Sequence, residues 1–70
     1  MQNIIIHCQP SLLETVQQLN LTYNDYHDEV DVILPYTDKI ESINNRYIDE
    51  AEFCNYFGLD YEQVNCIELI

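Results

Sequence analysis

The chain begins with a short unbroken apolar run, Ile4-Ile5-Ile6 within Asn3–Cys8, built from β-branched residues. A run of this length and composition is expected of a central strand buried on both faces. Pro10 and Ser11 end it, and Ser11 and Glu14 stand three apart, the spacing of a capping box in which a hydroxyl and a carboxylate each satisfy an orphan backbone N–H. A helix should follow. Leu12, Leu13, Val16 and Leu19 then share one helical face, Glu14, Gln17 and Gln18 lie opposite, and the helix is expected to end near Asn20.

From Leu21 the pattern becomes strand-like. Leu21–Tyr26 and Glu29–Leu34 are separated by the polar stretch Asn24–Asp28, which can turn the chain back on itself. Lys39–Ile43 and Arg46–Ile48 flank Asn44-Asn45, and paired asparagines tolerate the positive φ of a tight hairpin turn. The hairpin is the preferred reading; a helix starting at Thr37 or Asp38, with Ile40 and Ile43 on one face, is the alternative. Asp49-Glu50-Ala51-Glu52 forms a second helix cap, followed by an apolar face of Ala51, Phe53, Cys54 and Phe57. Gly58 supplies the left-handed residue that closes a helix, and Leu59 is placed to pack back against it. Asp60–Gln63 adds one turn, and Asn65–Ile70 alternates as a last strand that should dock into the sheet. These elements predict one α+β domain spanning residues 1–70, with a sheet of about four strands and two main helices on one of its faces.

Composition supports a folded chain. Residues of the apolar class make up 47% of the 70, with one glycine and two prolines, too few for a linker or a low-complexity segment. A body this small buries only about 60% of its extended-chain surface, so its stability margin is thin. The start lacks a charged n-region and a signal-type apolar stretch, and no run approaches the roughly 20 residues of a spanning helix, so a cytoplasmic location is expected. Cys8, Cys54 and Cys66 are an odd number at wide spacing, which suits reduced thiols.

Charge changes the picture most. Thirteen acidic residues against Lys39 and Arg46 give a net charge of −11. Nucleic acid and anionic membranes would both repel such a chain, so neither is an expected partner. A basic protein surface is. The carboxylates concentrate in two segments: Asp25, Asp28, Glu29 and Asp31, with Tyr26 among them, and Asp49, Glu50, Glu52, Asp60 and Glu62. Residues two apart on a strand share a face at about 6–7 Å, so Glu29 and Asp31 would present two charges at roughly the spacing of consecutive phosphates. Tyrosine adds flat, hydrogen-bonding surface of the kind enriched at interfaces.

Other chemistries fit less well. The first acidic segment lacks the alternation, central glycine and terminal glutamate of a calcium loop. His7-Cys8, Cys54 and Cys66 contain no Cys-x-x-Cys pair, so no metal or other cofactor is expected. Nothing places Cys8 or Cys54 beside His7 or His27 as a nucleophile and base, and paired carboxylates for glycoside chemistry need a larger cleft than so small a body provides. No enzymatic activity is expected.

In size, in charge, and in Asp49-Glu50-Ala51-Glu52-Phe53, Tyr56-Phe57-Gly58 and the closing Cys66–Ile70 segment, the chain resembles the small acidic phage-encoded inhibitors that imitate nucleic acid. Anti-CRISPR proteins, antirestriction proteins and uracil-DNA glycosylase inhibitors belong to that type. The resemblance implies an inhibitor, of anti-CRISPR type first, that blocks the basic nucleic-acid-binding channel of a host enzyme; it assigns no residue roles. An immunity protein or antitoxin neutralising a basic nuclease, and a structural homodimer joined through tyrosine-rich surface, are the alternatives.

Overall fold

Strands Asn3–Cys8 (β1), Tyr23–Tyr26 (β2), Glu29–Pro35 (β3) and Val64–Leu69 (β4) form an antiparallel sheet in the order β2-β3-β1-β4. The computed structural model describes residues 3–46 and 49–70. Helices Leu13–Gln18 (α1), Asp38–Arg46 (α2) and Glu50–Tyr56 (α3) complete the architecture, with 3-10 turns at Pro10–Leu12 and Tyr61–Gln63. The α+β expectation holds, and β1 is interior as its sequence suggests.

Strand alternation sorts the sheet into two faces. Ile4, Ile6 and Cys8 of β1 and Val30, Val32 and Leu34 of β3 point to one side, where Leu12, Val16, Ile43, Phe53, Cys54 and Leu59 from the helices and turns meet them in the core. Among the described residues, no helix packs on the other face. There lie Ile5, His7, Glu29, Asp31, Ile33, Cys66 and Glu68; Ile5 is buried, so the isoleucine run is buried on both sides of β1 as expected, while His7 beyond it is only partly so.

Two helices end in the same way. After α3, Gly58 takes φ +84°, its N–H donates to the Asn55 carbonyl, and the Leu59 N–H donates to the Cys54 carbonyl. After α1, Asn20 takes φ +60° with the matching bonds from Asn20 to Gln17 and from Leu21 to Val16. Both are Schellman closures. The left-handed backbone favours glycine at Gly58, and a Cβ there would stand 3.2 Å from the Leu19 side chain, which would have to give by a few tenths of an ångström.

Two expectations are corrected. The stretch read as a hairpin over Lys39–Ile48 is helical from Asp38 to Arg46, and Tyr47 and Ile48 lie outside the described residues. Thr37 starts this helix: its hydroxyl accepts from the Ile40 N–H at 3.3 Å and its carbonyl from the Glu41 N–H at 2.8 Å. Ile43 is buried, and Asp38 and Glu41 sit in the first turn where the helix dipole favours them. Cap, dipole and the Ile40/Ile43 spacing outweigh the turn tendency of two asparagines, which are accommodated in the last turns. Ser11 forms no capping box either, because the chain makes a 3-10 turn before α1 and the Ser11 hydroxyl donates instead to the Gln63 side chain. The closing strand does dock, through bonds between Asn3 and Ile70, but at the sheet edge, leaving Leu69 and Ile70 largely exposed.

Candidate functional site

Sheet register places the acidic groups. Val30 pairs with Cys8 and Pro35 with Asn3, so the β2–β3 turn lies at the same end of the sheet as the end of β1 and the start of β4. Gln9 donates to the Gln63 carbonyl at 2.8 Å, which brings the 3-10 turn at Tyr61–Gln63 to that end too. The Tyr61 hydroxyl donates to Glu50 at 3.0 Å and ties in the start of α3. Both acidic segments of the sequence are thus collected at one end of the molecule, while α2, with Asp38 and Glu41, departs from the opposite end after Pro35.

Within the first segment, Glu29 and Asp31 are on the open face with Tyr26, which sits opposite Glu29 on β2. Asp25 pairs with Val30 and so points to the other face, though it is exposed; Asp28 is exposed in the turn. Within the second segment, Asp49 accepts from the Ala51 N–H at 2.9 Å as the expected cap of α3. Asp60 caps the following turn through the Glu62 N–H at 3.1 Å and also accepts from the Gln63 amide. Glu52 and Glu62 stand exposed. The bond to Glu50 holds the Tyr61 hydroxyl above its usual pKa. Asp49, Asp60 and Glu50 therefore have local structural work, and Asp25, Asp28, Glu52 and Glu62 are the more available charges.

The residue that sequence reasoning missed is His7. From the middle of the open face its Nδ1 lies 2.9 Å from Asp31 Oδ1, directly across on β3, and 3.1 Å from Glu29 Oε2. Nε2 lies 2.9 Å from Glu68 Oε1 on β4. One ring thus links three strands. Burial works against the charged imidazole, but the bonds to Glu68, Glu29 and Asp31 outweigh it and lift its pKa from 6.5 to about 9. Glu29 is lowered by a hydrogen bond from Asp31 and then by His7, while Asp31 is raised by burial and then by Glu29. Glu29 and Asp31 are therefore not a free pair of charges at phosphate spacing: they converge on one ring, and Asp31 is the member pressed toward its neutral form.

Burial pushes the Cys8 and Cys54 thiols up to about 11, so both stay protonated near neutrality and supply no thiolate. Among the described residues, one group of potential metal donors lies together, His7, Glu29 and Asp31, with ligand atoms within 4.8 Å of one another. No helix among the described residues is long and apolar enough to cross a membrane. Comparison with protein-family models, with curated proteins and with solved structures gave no match.

Proposed function

We propose that this chain is a non-catalytic inhibitor of the nucleic-acid-mimic kind, of anti-CRISPR type, which docks its acidic end in the basic nucleic-acid channel of a host enzyme. The observation that carries the reading is the collection of two sequence-distant acidic segments at one end of the sheet in a chain of net charge −11. A cationic groove built for phosphates attracts such an end, and the encounter is accelerated by its long-range field. Asp28, Glu52 and Glu62 provide exposed charge there, and Tyr26, 51% exposed beside Glu29, provides a flat aromatic surface at the same end.

The test uses the immobilised chain to retain a basic nucleic-acid enzyme from the host, challenged with duplex DNA and with rising salt. Release by the duplex and a steep fall in affinity with salt are expected. Asp28→Lys with Glu62→Lys should weaken binding at least about tenfold at physiological salt, more than Asp38→Lys with Glu41→Lys, which makes the same change of charge at the opposite end. Equal losses from the two pairs would mean attraction by net charge without a defined acidic end. A retained enzyme indifferent to duplex DNA would rule out mimicry.

A further inference from the structure

We propose that His7, Glu29 and Asp31 form a binding site for one zinc-class divalent ion on the open face of the sheet, with Glu68 orienting the imidazole from its far side. The inference is independent of the acidic-end reading, since it concerns a mixed nitrogen and oxygen donor set on a rigid three-strand platform.

The first argument is stoichiometric. A metal-free imidazolium offers one proton at Nδ1, yet two carboxylate oxygens from different residues approach that atom at 2.9 and 3.1 Å. One N–H shared between two oxygens makes a three-centre bond, weaker to each than a bond directed at one alone. A cation bound in front of the Nδ1 lone pair satisfies both oxygens at once.

The second argument is electrostatic. Three carboxylates converge on a single cationic ring, leaving excess negative charge where the His7 and Asp31 side chains are only 17% and 13% exposed. Water reaches Glu29 and Glu68, 32% and 54% exposed, but His7 and Asp31 much less, and a divalent ion bound between them offsets the excess.

The third concerns the ring's orientation. Metal-bound histidines commonly donate their second ring N–H to a carboxylate, which fixes the tautomer and raises the basicity of the ligating nitrogen. Glu68, 2.9 Å from Nε2, stands in that place. Imidazole with two carboxylates suits zinc and its neighbours better than calcium or magnesium, which take all-oxygen shells. Zinc bonds of about 2.0–2.2 Å set tetrahedral donors about 3.3–3.5 Å apart, so the nitrogen–oxygen separations of 2.9 and 3.1 Å need to widen by only a few tenths of an ångström, and the three donor atoms all lie within 4.8 Å of one another. A three-ligand site on an uncovered face keeps its fourth position open to water or to a donor from another molecule.

Chelator-treated protein carrying Cys66→Ser, which removes the exposed thiol opposite His7 in the register, is titrated with Zn²⁺ and, separately, Co²⁺. The expected results are one ion per chain, a Co²⁺ spectrum with d–d bands and no sulfur charge-transfer band, and loss of binding in His7→Gln. Glu68→Gln should weaken binding about ten- to a hundredfold, with Glu41→Gln unchanged. Because His7→Gln could disturb the sheet, the imidazole nitrogen resonances of the unmutated ring give a second reading: Zn²⁺ should shift Nδ1 and leave Nε2 protonated. Natively folded protein that takes up no Zn²⁺ at about 100 μM, well above typical zinc-site dissociation constants, would overturn the proposal. So would binding that leaves the His7 resonances unmoved, or a sulfur band from the remaining cysteines.

Discussion

The two faces of the sheet are held by different physics. On the helix-covered face, Ile4, Ile6, Cys8, Val30, Val32 and Leu34 pack against six side chains from outside the sheet, and the attraction is non-directional and proportional to the area removed from water. On the open face no helix among the described residues removes surface from water, and beside the apolar pair Ile5 and Ile33 the strands are joined by one histidine and three carboxylates, whose contribution depends on their geometry. A small sheet with one covered face thus supplements a limited apolar core with a directional ionic clamp.

The largest expected effect follows from breaking the covered face. Ile6 is fully buried at the centre of β1, and Ile6→Ala should cost about 3–4 kcal/mol through lost transfer energy and the cavity left behind. A domain of this size holds only about 3–5 kcal/mol in total, so urea denaturation should find the variant close to its midpoint without denaturant. A loss under about 1 kcal/mol would show that the helices do not grip this face.

Breaking the open face should cost less and depend on pH. His7→Gln keeps an amide donor but loses the charge and one of the two donor directions, for a loss of about 1–2 kcal/mol at pH 7 in metal-free protein, the scale of charged hydrogen bonds discounted for partial exposure. The folded pKa of His7, about 9, lies above its ordinary 6.5. Its stabilisation is therefore complete below pH 6.5 and fades as pH rises through 9. Glu29, Asp31 and Glu68 face it from the neighbouring strands. The gap between wild type and His7→Gln in urea midpoint, measured with a chelator present, should narrow between pH 7 and 10. A gap constant over that range would mean the ring acts by packing alone.

The same contrast explains what the sequence made legible. A short β-branched apolar run revealed β1, and helical spacing revealed α3 with its Asp49 cap and Gly58 stop and much of the apolar core, because those signals are local. The clamp was not visible: His7, Glu29, Asp31 and Glu68 span most of the sequence, and their meeting depends on the register of β1 with β3 and β4. Each residue alone is an ordinary polar position on a strand. Helix α2 was obscured for a related reason. Asn44-Asn45 is a strong local turn signal, whereas the Thr37 cap and the burial of Ile43 outweigh it only once the core exists. The collection of both acidic segments at one end likewise needed the Gln9–Gln63 and Glu50–Tyr61 contacts, which no spacing encodes.

The smallest effect tests the contrast at two adjacent positions. Val32 and Ile33 are neighbours on β3 with opposite orientations: Val32 is fully buried in the core, and Ile33 is half-buried on the open face. Threonine preserves β-branching at both, so strand propensity changes little. Val32→Thr buries a hydroxyl among apolar neighbours and should cost about 1–3 kcal/mol, depending on whether it finds a backbone acceptor. Ile33→Thr leaves its hydroxyl within reach of water and should cost under about 1 kcal/mol. A difference of about 1 kcal/mol or more in urea stability would confirm that only one face is covered in solution. Equal costs would instead mean that another surface covers the open face, and concentration-dependent stability would then identify that surface as a second copy of the chain.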